Sequence, residues 1–397
     1  MTKPRLFTAL AAALFALAAA AAHAQIAAPR PLAELKAEIQ QRADRKAYPV
    51  SELDAAEVRE ALANLRSLDR DEWAAAWSAI GDRRLARGKA TESSDRSGAA
   101  EHYKYAFEYY LFARFPLENS PGKVRAYGRT LEAFAAYAKL QDPPIEIVRI
   151  PFEGKEIVGY LRLPKNVRPA PVVVTIGGLD GRKENASFRH DAYLAQGIAY
   201  FSFDMPGTGQ STIRRVVPGA ESEFSRVLDY IAARPELDAK RVAIYGPSWG
   251  GHFAARLAFT ERERIRGAVV QGGPVHEYFQ PEWQKKAVGT REYLFELFEA
   301  RAAIYGAGTL DEFLAYGPQM SLKTAGWLEK PSAPMLVING MRDTQVPVED
   351  VFLLMRAGSP KDVWINPQGG HMGRGAALSD QKIFETVTLP WVVRALK

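Results

Sequence analysis

The sequence predicts an α/β fold, a mostly parallel sheet with helices on both faces, preceded by an N-terminal helical module and interrupted by a helical cap insertion. Three observations carry that expectation. Apolar residues keep helical spacing from Pro31 to Leu140. At Asp142-Pro143-Pro144 the period changes, and short apolar runs that do not alternate with polar residues follow, separated by helical segments. Between two of those runs, Pro274 to Lys330 breaks the alternation and carries ten aromatic residues, which is the length and composition of a lid or substrate cap.

The chain opens with Lys3 and Arg5, an Ala-, Leu- and Phe-rich run from Leu6 to Ala22, and Ala22-His23-Ala24, a small-x-small cleavage site before Gln25. This reads as a secretory signal peptide over residues 1–24 rather than a retained anchor. The mature protein is therefore expected to be periplasmic or secreted. No second apolar run is long enough to cross a bilayer, so no stable membrane span is expected after processing. With no Cys among 397 residues, disulfides, thiolate zinc sites, iron–sulfur clusters and a cysteine nucleophile are excluded. The formal charge of +6 drops by two with Lys3 and Arg5 and is spread over a chain with 46 acids and no dense basic cluster. That balance is too mild for a nucleic-acid partner.

In the module over residues 25–143, Asp54 with Glu57 and Asp69 with Glu72 have the spacing of capping boxes. Ser120-Pro121 is an N-cap followed by proline at the first helical position. At least four helices are expected, with a polar loop from Gly88 to Gly98 and a helix from near Asp95 closed by Phe115-Pro116. Trp73, Trp77, Tyr103, Phe107 and Tyr110 recur at three- and four-residue steps, the pattern of a core stripe rather than a ligand cage.

In the second unit, residues 144–397, Ile145 to Phe152 and Lys155 to Leu163 alternate around Glu153-Gly154 and read as a hairpin. The buried parallel strands are expected at Pro171–Ile176, Ile198–Phe203, Val242–Tyr245, Gly267–Gln271, Met335–Ile338 and Asp362–Ile365. The cap occupies residues 274–330, with Phe295 and Phe298 placed on one helical face of its core. A last helix from about Asp380 to Ala395 is expected to kink at Pro390.

The apolar run ending at Tyr245 leads directly into Gly246-Pro-Ser248-Trp-Gly250-Gly251 and then a helix, His252 to Thr260. A strand-to-helix turn that tight strains Ser248 and needs glycine on either side. It holds the hydroxyl at a helix N-terminus, where peptide dipoles favour developing negative charge. Serine at ordinary acidity is a poor nucleophile, so a base and an orienting acid must follow. The strand ending at Ile338 precedes Asn339-Gly-Met-Arg-Asp343, and the strand ending at Ile365 precedes Asn366-Pro-Gln-Gly-Gly370-His371. Both loops leave carboxyl ends of parallel strands, on the same sheet edge as Ser248, which assigns His371 as general base and Asp343 as its partner. The oxyanion donors are assigned to the backbone amides of Trp249 and Leu179, with Gly178 allowing close approach. Tyr278 and Trp283 are the cap aromatics assigned to the substrate pocket.

Competing residues are few. His252 reads as a packed boundary residue, His190 lies in a helix, and His276 with Glu277 either lines the pocket or is structural, the structural reading being favoured. Asp350, the rival to Asp343, falls in a helix begun at Pro347. Gly177-Gly178-x-x-Gly181 and Gly207-Thr-Gly209 follow strands without completing a dinucleotide fingerprint, and a P-loop is absent. No helical His pair suggests a metal. No cofactor is expected.

With GPSWGG at 246–251, FDMPGTGQS at 203–211, NGMRDTQVP at 339–347 and GGH at 369–371, the chain from about Pro144 to Lys397 resembles the α/β-hydrolase superfamily. A helical module ahead of IGGLDGRKE at 176–184 is similar to the subfamily of 2,6-dihydropseudooxynicotine hydrolase, fungal polyketide-shortening hydrolases and fermentation-respiration switch esterases. The resemblance implies a serine hydrolase acting on esters or on activated carbon–carbon bonds beside a ketone. The leading expectation is an exported carboxylic ester hydrolase for bulky apolar or aromatic acyl groups, taking a small-molecule ester or ketone. The alternatives are a carbon–carbon bond hydrolase for β-dicarbonyl compounds and a non-catalytic binding protein on the same fold. A homodimer is left open.

Overall fold

The computed structural model describes residues 30–185, 187–358 and 361–397; the signal-peptide reading over residues 1–24 lies outside them. Among the described residues, five helices precede the sheet: α1 (Leu32–Asp44), α2 (Ala55–Asn64), α3 (Arg70–Thr91), α4 (Arg96–Ala113) and α5 (Pro121–Leu140). Asp54, Asp69, Asp95 and Ser120 cap α2 to α5 by accepting first-turn backbone NH groups. The two capping boxes are one-sided. Glu57 reaches Arg84 at 2.9 Å, and Glu72 accepts from Arg66 and Ser67, because ion pairing and the preceding turn offer these side chains better partners.

The expected loop from Gly88 to Gly98 shrinks to the turn between α3 and α4, since α3 continues to Thr91. Gly88 is a helix-packing position: a Cβ there would sit 2.6 Å from the Tyr103 ring, and one at Gly81 would sit 2.7 Å from that of Tyr110. A glycine seven residues from another lets α3 and α4 lie close enough to bury both tyrosines, an advantage that outweighs the roughly 1 kcal/mol helical cost of glycine. Trp73, Trp77, Tyr103, Phe107 and Tyr110 are all buried.

After the turn at 141–145, eight strands form one sheet: β1 (Glu146–Phe152), β2 (Lys155–Arg162), β3 (Ala170–Ile176), β4 (Ala199–Phe203), β5 (Leu237–Pro247), β6 (Gly267–Gln271), β7 (Met335–Gly340) and β8 (Lys361–Asn366). Their spatial order is β1-β2-β4-β3-β5-β6-β7-β8. β1 and β2 pair antiparallel around Glu153-Gly154, β2 pairs antiparallel with β4, and β4 through β8 are parallel. Helices α6 (Ser187–Ala195), α7 (Ser222–Ala233) and α8 (Trp249–Thr260) connect the middle strands. The chain leaves β3 for β4 on one side and later returns to β5 on the other, so the crevice at the carboxyl ends of β3 and β5 is the topological switch point.

The insertion between β6 and β7 contains α9 (Pro281–Ala287), α10 (Leu297–Tyr305) and α11 (Leu310–Tyr316). Phe295 and Phe298 do not share a helical face, because α10 begins only at Leu297, after Glu296 in a left-handed conformation with φ 54°. Phe298 packs on Phe313 in the cap, whereas Phe295 packs on Trp73 of the N-terminal module. After α12 (Glu349–Met355), the chain ends in α13 (Asp380–Ile383), one wide π turn at Phe384–Thr388, and α14 (Leu389–Ala395). Pro390 stands in the first turn of α14, directly after that wide turn, where a residue without an NH is best tolerated.

Candidate active site

β5 runs into α8 through Ser248, whose φ of 52° and ψ of −125° lie in a region L-residues rarely occupy. The turn closes only without side chains around it: a Cβ at Gly246 would lie 2.1 Å from the Gly250 carbonyl, and one at Gly250 would lie 2.3 Å from the Ile176 carbonyl. The NH of Ser248 donates to the Gln271 carbonyl at 2.7 Å, anchoring the elbow to β6.

Three side chains from three strand ends meet here. His371 Nε2 is 2.8 Å from Ser248 Oγ, and His371 Nδ1 is 2.8 Å from Asp343 Oδ2. An ionised carboxylate only accepts, so Nδ1 carries the proton and Nε2 is free to accept from the hydroxyl. The other Asp343 oxygen accepts the NH groups of Gln345 at 2.7 Å and Val346 at 3.0 Å, which fixes the carboxylate's plane. The His371 loop is held by Asn339, whose amide oxygen accepts the NH of Met372, and by Gln271, whose amide donates to the Met372 carbonyl.

Ser248 opens on a cavity of about 770 Å³, also lined by Gly178, Leu179, Trp249, Tyr278 and His371. Gly178 presses against the elbow; a Cβ there would be 3.1 Å from that of Ser248. Trp249 is the first residue of α8, where a backbone NH has no acceptor inside the helix. Its indole donates to the Tyr278 hydroxyl at 2.9 Å, so the cap wall and the elbow are directly linked. The N-terminal module supplies Tyr48, Glu108 and Phe115 to the same cavity. Burial, reinforced by the Glu52 carboxylate, pushes the Glu108 carboxyl up to about 8, so it is largely uncharged at neutral pH.

Trp283 is not among the residues lining the cavity. Its indole donates to the Gln345 carbonyl at 3.3 Å, and its half-buried ring packs against the central core. The cap's contributions are instead Tyr278, Glu292, Tyr293, Leu294, Leu297 and Arg301. Arg301 bridges the cap to the Asp343 loop through Gln345 and lies 4.9 Å from the Tyr278 ring. His276 and Glu277 lie outside the cavity lining, with His276 bonded to Ser321 at 2.7 Å. His252 and His190 are wholly buried, and burial pushes both down to about 3, so they stay neutral. Asp350 accepts four backbone NH groups, from Val275 to Tyr278, and so pins the entry to the cap. Arg301, Glu108 and Glu292 carried no local signal in the sequence; each acquires meaning only from a partner far along the chain.

The chain matches the family described as Esterase FrsA-like over residues 50–366, from within the helical module to the end of β8. The chain belongs to the FrsA-like esterase family. Esterase FrsA of Vibrio cholerae is 28% identical over 300 residues, covering 73% of this chain and 70% of that protein. Hydrolyase poxO of Penicillium oxalicum is 31% identical over 250 residues, 58% of each. Among solved structures, 2,6-dihydroxy-pseudo-oxynicotine hydrolase superposes with a TM-score of 0.75 at 19% identity over 89% of this chain and 95% of that one, a likeness of fold. The FrsA-like protein is thus a hydrolase with the α/β-hydrolase fold. Among its described residues no cluster of three or more potential metal ligands is present, and no helix is long and apolar enough to cross a membrane.

Proposed function

We propose that this protein is an exported serine esterase whose nucleophile is Ser248, whose general base is His371 and whose orienting carboxylate is Asp343. The observation that carries the reading is the unbroken line of two 2.8 Å hydrogen bonds from the Ser248 hydroxyl through His371 to Asp343, at the floor of a cavity. Ser248 Oγ attacks the acyl carbon as His371 takes its proton. The imidazolium, held by Asp343, returns that proton to the leaving alkoxide. Water then repeats the sequence on the acyl-enzyme. The amides of Leu179 and Trp249 are the proposed donors to the tetrahedral oxyanion, and Gly178 keeps their approach open.

Labelling with a fluorophosphonate, followed by a screen of p-nitrophenyl esters beside β-diketones, tests this. Covalent labelling at Ser248 with ester turnover is the expected result. A folded protein that resists the probe overturns the serine mechanism, and turnover of β-diketones alone overturns the ester assignment.

The size of the cavity, with Tyr278, Tyr293, Leu294 and Leu297 on its cap side, supports a bulky apolar or aromatic acyl group. Losing about 50 Å² of ring contact is worth roughly 1.3 kcal/mol, close to tenfold in binding. Tyr278→Ala should therefore raise KM for naphthoate or benzoate esters about tenfold more than for acetate esters. An equal effect on both would show that Tyr278 does not contact the acyl group. What supports the export part of the reading is the signal-like segment before Gln25. N-terminal sequencing of protein from its native host should begin at or near Gln25, and an intact Met1 form in the cytoplasm would overturn that part.

A further inference from the structure

Residues 291–296, between α9 and α10, leave the cap and lie on the N-terminal module. Leu294 is buried in the core of that module, and the Phe295 ring is 4.7 Å from Trp73 and 5.6 Å from Phe115. Glu296 pairs with the buried Lys123 at 2.8 Å, and Arg291 pairs with Glu34 at 3.0 Å. Glu292 sits within this anchored arm, its backbone carbonyl accepting from Arg42 of α1 at 3.1 Å, while its side chain reaches the opposite way.

The Glu292 carboxylate spans the two loops that carry the base and the acid. One oxygen accepts the backbone NH of His371 at 2.7 Å. The other accepts the NH of Thr344 at 3.2 Å and its hydroxyl at 2.5 Å, one residue beyond Asp343. Residue 370 must be glycine for this, since a Cβ there would lie 2.6 Å from the carboxylate. Asn339 and Gln271 hold the main chain of Met372, a residue at φ 64°, but neither takes the NH of His371 itself.

We propose that Glu292 is a positioning residue through which the N-terminal module sets the alignment of His371 and Asp343 on Ser248. The inference rests on the serine-esterase reading above. A displacement of about 1 Å between reacting groups costs roughly a hundredfold in rate, so a tie made to the backbone of the base acts on turnover more than on substrate binding.

The test compares full-length wild type with Glu292→Ala, Glu292→Gln, Gly370→Ala and the Glu292→Ala/Gly370→Ala double variant. It measures the rate of fluorophosphonate labelling, kcat and KM for p-nitrophenyl acetate, and thermal unfolding. Glu292→Ala should slow labelling and lower kcat by about 10–100-fold, with KM changed by less than about threefold. Glu292→Gln, which fits the same space and keeps one acceptor oxygen, should recover part of the loss. Gly370→Ala should lose as much, because its methyl displaces the carboxylate, and the two losses should not add in the double variant. Wild-type labelling rates in folded Glu292→Ala and Glu292→Gln, a fall in Tm alone, or additive losses would overturn the proposal. A wild type that does not label overturns the underlying serine mechanism instead, so the two failures are distinguishable.

Discussion

Ser248→Ala and His371→Ala are each expected to lower turnover of p-nitrophenyl esters by at least about 10⁴-fold while the protein stays folded, because members of a nucleophile–base pair act as one unit and removing either loses nearly all of its contribution. The hydroxyl contributes no core packing, and removing it relieves none of the backbone strain at φ 52°, so circular dichroism and Tm should stay near wild type. Asp343→Asn should be milder yet still cost about 10³–10⁴-fold, since an amide nitrogen facing Nδ1 stabilises the wrong tautomer and leaves the imidazolium unpaired. Steady-state kinetics on purified, folded variants check all three. Ser248→Ala turning over within tenfold of wild type would sink the mechanism.

The second large effect falls on stability and lies away from Ser248. Lys183 Nζ is 2.9 Å from Asp204, 2.9 Å from Glu184 and 3.3 Å from the Tyr127 hydroxyl of α5, and all three charged groups are buried. Burial alone would raise the Asp204 carboxyl, but Lys183 and then Arg182 hold it below the usual carboxylate range; burial would lower the Lys183 ammonium, but Asp204 and Glu184 hold it above the usual lysine value. The depressed Asp204 contributes stability that is complete above the unfolded carboxyl pKa of about 3.9 and is lost as pH falls through the folded value. The raised Lys183 contributes stability that is complete below about 10.4 and is lost as pH rises through its folded value. Both are intact at neutral pH. Lys183→Met leaves two buried carboxylates without their cation and should cost about 3–5 kcal/mol at pH 8. The deficit should shrink at pH 5, because burial raises the Asp204 carboxyl once the Lys183 cation that lowers it is gone, and it takes up a proton more readily. Urea unfolding at the two pH values measures both, and a deficit under about 1 kcal/mol, or one independent of pH, would contradict this account.

How much of this was legible in the chain depends on the range of the interaction involved. The hairpin β1–β2 was readable from alternation, and β3 to β7 from the rule that a parallel strand covered on both faces must be apolar throughout; β8 lies where expected but is not buried, because it is the edge of the sheet and leaves Val363 exposed. Ser248 was readable because its backbone strain is met locally, by glycines at 246 and 250 and by a strand and helix adjacent in sequence. His371 and Asp343 were readable at one remove, as residues just past the carboxyl ends of β8 and β7, which topology brings to one edge. The N-caps at Asp54, Asp69 and Ser120 are equally local.

What local pattern could not decide is which partner a side chain finds when several are possible. Glu57 and Glu72 have capping-box spacing but bond elsewhere, and Gly88 looked like loop until Tyr103 filled the space above it. Trp283 is as aromatic as Tyr278, yet one bonds Gln345 and packs against the core outside the cavity while the other lines it. The Glu292 carboxylate is such a case: its partners stand 52 and 79 residues away, on two different loops. The succession of strands and helices, the elbow and the strand ends that carry the candidate base and acid were thus written locally in the chain, because those follow from dihedral limits and periodic burial. The cavity wall, the buried charge cluster and the arm that ties the module to His371 emerge only on folding, because hydrogen bonds and charges buried away from water are fixed by whichever partners come within about 3 Å.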